Sequence, residues 1–131
     1  MIVLDTHALV WWLTDSPALS PEARRAIKRA TAKAPAVASA ISVLEIATAV
    51  RRGRMEFGVP LEHWLADLRL LPELRFEPVT VEIAHIAGTF GEDMHGDPAD
   101  RIVSATSIAL GAQLVTGDEK LRKHRALKTI W

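Results

Sequence analysis

Ile2-Val3-Leu4-Asp5-Thr6-His7 is the stretch on which the fold turns. Three consecutive apolar residues, without the polar alternation of a half-exposed strand, suit a strand buried on both faces. Asp5 closes the run, and Thr6 to Leu13 reads as a short helix. The same alternation recurs outward from there. Ser20-Pro21 supplies an N-cap and a proline at the first helical position, opening a helix to about Lys33. Ala36 to Ser39 is a second buried strand. Ser42 and Glu45 are spaced as a capping box, with Val43, Ile46, Ala47 and Val50 as the apolar stripe behind them, and Gly53 ends that helix.

Leu61, Trp64, Leu65 and Leu68 mark a helix that stops before Pro72, and Phe76 to Val79 reads as a third strand. Ile83, Ile86, Ala87 and Phe90 return to helical spacing. Asp97-Pro98 opens a further helix that continues to Gly111. Leu114-Val115-Thr116 is a fourth strand, Gly117-Asp118 a turn, and Thr129 to Trp131 a last strand. Short apolar strands alternating with helices predict an α/β chain, a parallel sheet covered by helices on both faces.

With 131 residues and no repeat or polar linker, residues 1–131 read as one domain. The absence of cysteine removes both disulfides and thiolate metal sites. The formal charge of zero argues against a long non-specific grip on nucleic acid, so any such contact must be local. Basic residues gather at Arg51, Arg52 and Arg54, and again from Lys120 to Lys128; each cluster is either a substrate contact or a solvated surface. The apolar run Ala8 to Leu13 is too short to span a bilayer, and Asp5 interrupts the N-terminal stretch, which lacks a basic start. A cytoplasmic protein beginning at Met1, with no membrane partner, is the expectation.

In an open parallel sheet, sites form beyond the carboxyl ends of the strands, where the winding reverses. Asp5 follows the first strand directly, Glu45 is placed in the first turn of the helix after the second, and Asp118 comes just after the fourth. Asp100 lies in the first turn of the helix leading into the fourth strand. If the first strand lies between the second and the fourth, these acids converge. Two like charges about 5 Å apart repel by roughly 3 kcal/mol at an effective dielectric near 20. A hard divalent cation with oxygen ligands resolves that conflict. With no cysteine and no paired-histidine helix motif, magnesium or manganese fits better than zinc. Singly, each acid has an ordinary explanation: Asp5, Asp97 and Asp118 as helix N-caps, Glu45 and Asp100 as third residues of capping boxes.

Ile2 to His7, Ser42-Val43-Leu44-Glu45, His95-Gly96-Asp97-Pro98-Ala99-Asp100-Arg101 and Val115-Thr116-Gly117-Asp118 together resemble the PIN-domain family, in particular the VapC-type toxins of toxin–antitoxin pairs. The resemblance spans the chain in the right order. It implies a PIN-like three-layer α/β/α domain with sheet order 3-2-1-4-5, and a magnesium- or manganese-dependent endoribonuclease. It carries the catalytic quartet onto Asp5, Glu45, Asp100 and Asp118, with Asp5, Asp100 and Asp118 as metal ligands. Thr6, Asp97 and Thr116 take supporting places around them. It further implies a homodimer and a VapB-type antitoxin whose C-terminal segment crosses the groove, often presenting an arginine to the carboxylates. Trp11, Trp12 and Trp64 are groove or dimer residues, or simply core. His7 and His95 flank the acids as RNA-phosphate contacts or as local hydrogen-bonding residues.

Two other functions compete. An aspartyl-phosphate phosphatase also places an aspartate after its first strand, but it wants a second aspartate two residues later, and His7 stands there. A non-catalytic interaction module of the same fold is opposed by the complete acidic set, which is costly to bury without a cation.

Overall fold

The computed structural model describes residues 1–131, and the apolar opening is hidden as its composition requires. Strand β1 (Ile2–Leu4) is buried throughout and pairs in parallel with β2 (Ala36–Ser39) on one side and β4 (Gln113–Val115) on the other. Strand β3 (Leu74–Glu77) extends the sheet beyond β2, and β5 (Thr129–Ile130) beyond β4, giving the parallel order β3-β2-β1-β4-β5. The register sets Val3 beside Val37 and Leu114, and Leu4 beside Ala38 and Val115. Successive strand residues face opposite ways, so this register sorts the sheet into two cores. Ile2, Leu4, Ala36, Ala38 and Val115 join one apolar cluster with Leu9, Ile27 and Ile46. Val3, Val37 and Leu114 join another with Val103 and Leu121.

Those partners come from the covering helices: α1 (Thr6–Leu13), α2 (Pro21–Thr31), α3 (Ala40–Arg51) and α4 (Leu61–Leu68), then α5 (Val81–Thr89), α6 (Pro98–Ala109) and α7 (Glu119–Arg122). The three-layer α/β/α arrangement is therefore as the sequence implies. The chain winds from β1 outward through β2 to β3, then returns to the other side of β1 as β4. The reversal lies between β1 and β4, and this is where the carboxyl ends of neighbouring strands leave room for a site. No helix is long and apolar enough to cross a membrane.

Four local expectations shift. Helix α3 begins at Ala40, because Ser39 at the end of β2 caps it, its hydroxyl accepting from the Ile41 amide. Ser42 is therefore inside the helix and forms no capping box, and Glu45 stands in the second turn. Strand β3 ends at Glu77 because Pro78 has no amide to give the ladder. Strand β4 stops at Val115, leaving Thr116 free to use its side chain. After it comes the four-residue α7 in place of a plain turn, capped by Asp118 and too short to leave a periodic signal. Gly111, at φ +62°, ends α6 in the left-handed conformation that glycine adopts without cost.

Candidate active site

Asp5 leaves β1 as the N-cap of α1, and its backbone amide is tied to the Val115 carbonyl of β4. Only 3% of the residue is exposed. Both carboxylate oxygens are held: Oδ1 accepts from the Thr6 amide at 2.8 Å, and Oδ2 from the Thr116 hydroxyl at 2.7 Å. Thr116 Oγ1 in turn accepts from the Asp118 amide. Burial pushes the Asp5 carboxyl above its ordinary value, against the opposing pull of the Thr116 hydrogen bond and of nearby His7. Each oxygen keeps a lone pair for a further ligand.

Thr6 turns the other way, toward α3. Its hydroxyl donates to Glu45 Oε1, and with its single proton so used, the 2.7 Å contact to Ser42 must be donated by the serine. The relay Ser42→Thr6→Glu45 fixes the glutamate over the sheet edge. Burial raises the Glu45 carboxyl too, with Asp5 and Asp97 adding repulsion.

Asp97 caps α6, its Oδ1 accepting from the Ala99 and Asp100 amides at 2.9 and 3.1 Å. That cap orients the first turn and presents Asp100, whose carboxyl is pushed up to about 7 by burial and then by the charges of Asp5, Asp97, Glu45 and Asp118. Asp118 caps α7 through Oδ1, leaving Oδ2 free on the site's side. His95 Nε2 approaches both, 3.2 Å from Asp100 Oδ2 and 3.9 Å from Asp118 Oδ2. The nitrogen is buried but misaligned for a hydrogen bond, and it has no partner. One donor atom each from His95, Asp100 and Asp118 lies within 4.8 Å of the others, a spacing one cation can span.

The four expected acids thus meet at one edge of the sheet. The tightest grouping differs from the expected ligand set: His95 stands with Asp100 and Asp118, while Asp5 adjoins them as the neighbouring charge that acts most strongly on Asp100. Asp5, Asp97 and Asp118 are also helix caps, so the two explanations offered by the sequence hold together. Among the tryptophans, Trp64 stacks on Phe57 against the core, while Trp11 lines the cleft beside the acids.

Residues 2–127 match the PIN domain family. The chain belongs to that family. This PIN domain is 36% identical to Ribonuclease VapC22 of Mycobacterium tuberculosis (strain ATCC 25618 / H37Rv), over 99% of the chain and 98% of that protein. Its fold resembles that of VapBC2 from Rickettsia felis bound to a promoter DNA fragment, at TM-score 0.73 and 16% identity, covering 98% of this chain and 97% of that one. It also resembles a toxin–antitoxin complex from Klebsiella pneumoniae, at TM-score 0.65 and 16% identity, with 97% and 95% covered.

Three contributors take roles that the sequence does not give them. His95 is expected beside the acids as a phosphate contact or local hydrogen-bonding residue, whereas the loop that follows α5 brings its Nε2 to Asp100 and Asp118. Ser42 reads as a cap in the sequence but supplies the hydrogen bond to Thr6. Arg101 appeared only as part of a motif, whereas its guanidinium donates to the carbonyls of Ala87, Phe90 and Met94 and so pins the loop that carries His95 to α6. The signal for it was an arginine directly after Asp100.

Proposed function

We propose that this PIN domain is a divalent-metal-dependent endoribonuclease and the toxin of a VapBC-type pair, cutting RNA phosphodiester bonds by an activated water. The observation that carries this reading is the crowding of Asp5, Glu45, Asp100 and Asp118 at the switch point of the sheet, with Asp100 raised to about 7. The 36% identity to a named ribonuclease, and the toxin–antitoxin complexes among the structural neighbours, support it.

The donor set fits a hard cation. Asp100, Asp118 and the adjoining Asp5 would hold it, and His95, grouped with Asp100 and Asp118, adds a nitrogen donor. An imidazole among carboxylates favours a first-row ion such as manganese over magnesium. Bound there, the ion supplies a Lewis acid and an acidified water for in-line attack on phosphate. The rest falls to the side chains. Thr6 and Thr116 hold Asp5 rigid, so its free lone pairs stay aimed into the cleft. Asp97 holds the helix turn that bears Asp100. Glu45, steadied by the Ser42–Thr6 relay, accepts the proton of the attacking water. Arg52 and Arg54 line the adjoining cleft without ion pairs, free to meet phosphate. A VapB-type antitoxin that lays an arginine against the same acids would block it, and two copies would form the homodimer.

The test is sequencing of the 5′ ends produced on total RNA, with manganese or with EDTA. Asp5→Asn matches the neutral acid that burial already favours, so the fold should survive while cutting stops. Cleavage that persists in EDTA, or in Asp5→Asn, overturns the proposal.

A further inference from the structure

Trp131 lies directly on the backbone of Gly117: a Cβ built there would stand 2.8 Å from the indole. Only glycine fits between Thr116 and Asp118, and the ring is seated on the turn that presents an active-site acid. Trp131 and Trp11 have their centroids 5.8 Å apart at 50°, and Trp11 lies 5.7 Å from His7. These rings wall a cavity of about 380 Å³ whose remaining side includes Asp5, Gly117 and Asp118. The acid chemistry makes no use of either indole. On the other side of His7 and Trp11 a second cavity, of about 420 Å³, carries Arg52 and Arg54. A polymer crossing the acids therefore meets guanidinium groups on one flank and aromatic faces on the other.

We propose that the notch of Trp11 and Trp131 is a nucleobase subsite, in which an unpaired base beside the scissile phosphate stacks while a neighbouring phosphate meets Arg52 or Arg54. The proposal rests on the ribonuclease reading and adds to it a requirement on substrate. Every base has a π-face, so stacking here demands a base out of its helix rather than a particular sequence. The size of the notch suits it: it lies at the lower end of the ~300–1,000 Å³ that small-molecule sites occupy. A base bound there sits against Asp5 and Asp118, within one nucleotide of the acids.

The experiment uses protein labelled with fluorotryptophan, carrying Asp100→Asn to prevent turnover, and a short unstructured oligoribonucleotide with or without one abasic position at its cleavage point. The Trp11 and Trp131 fluorine resonances should move with the intact strand, while those of Trp12 and Trp64 stay. Loss of the base should weaken binding about tenfold, the scale of one stacked base. Trp131→Ala should weaken the intact strand by a similar factor and leave the abasic one unchanged, with Trp131→Phe restoring most of the difference and serving if the alanine variant misfolds. Equal binding of intact and abasic strands, equal loss for both in Trp131→Ala, or unmoved resonances would overturn the subsite, including in favour of a protein segment filling the notch. Cleavage of the same strand by protein with Asp100 intact reports the ribonuclease reading separately: cutting without a base effect removes only the notch, and no cutting removes both.

Discussion

An aspartate that keeps its proton to about pH 7 must release it before binding a cation. For Asp100 this couples metal affinity to pH: binding should tighten from pH 6 to pH 8 and release close to one proton at the lower end. Calorimetry in buffers of different ionisation enthalpy measures that proton directly. The same shift acts on stability without metal. An acid whose folded value is raised binds more protons folded than unfolded, so the metal-free protein loses stability as pH climbs from about 4 to about 7, and no more above it. Asp5 and Glu45 act in the same direction. Denaturation midpoints that instead rise over this window would remove the crowding argument. His95 gives a second prediction. His95→Ala should weaken manganese more than magnesium, by about tenfold for the lost nitrogen ligand, seen by titration calorimetry with each ion. Asp5, Asp100 and Asp118 were legible in the sequence because each follows a strand or opens a helix, whereas Glu45, in the second turn of α3, was legible only through its spacing from Ser42. The sequence puts His95 beside the acids but not among the metal donors, since a loop imposes no spacing and only the folded path of residues 90–97 brings the imidazole to Asp100.

At the level of elements, the N-terminal turn of α6 and the loop before it act as one part because of Arg101. Its guanidinium serves the carbonyls of Ala87, Phe90 and Met94 and lies over the Phe90 ring at 5.8 Å. Arg101→Ala would leave several half-buried acceptors unsatisfied, costing about 1–3 kcal/mol in urea denaturation. Arg101→Lys should recover little of it, because an ammonium cannot fork to three carbonyls. Metal affinity should fall alongside, since His95 is released with the loop; a variant of native stability and affinity would show the anchor to be idle. Most helices and strands were readable to within a residue or two. The exceptions share a cause, since Ser39 and Ser42 both offer a cap and only the pairing of Ser39 with Glu77 across the sheet settles which one is used. Likewise α7 depends on Asp118 alone for its start.

For the whole molecule, the sheet order gathers acids from both ends of the chain, so binding one ion should stabilise everything at once. Manganese at a hundred times its dissociation constant should add about 2.7 kcal/mol, raising the melting temperature, and Asp100→Asn should abolish most of that gain. In cells, induced expression should arrest growth, with relief from a co-expressed small partner; normal growth alongside active enzyme would end the toxin assignment while sparing the nuclease. The Thr116–Asp5 hydrogen bond joins residues 111 apart in the chain. At synthesis rates of about 5–20 residues per second, Asp5 waits roughly 6–22 seconds for that partner. Until then the buried carboxylate lacks one of its two hydrogen bonds, and Asp100 and Asp118 arrive late as well, so the cleft of acids is assembled only by about the last quarter of the chain. If the proposed nuclease activity holds, a nascent chain that stops short of Thr116 should cut nothing, which truncation before residue 116 and an RNA-cleavage assay would check.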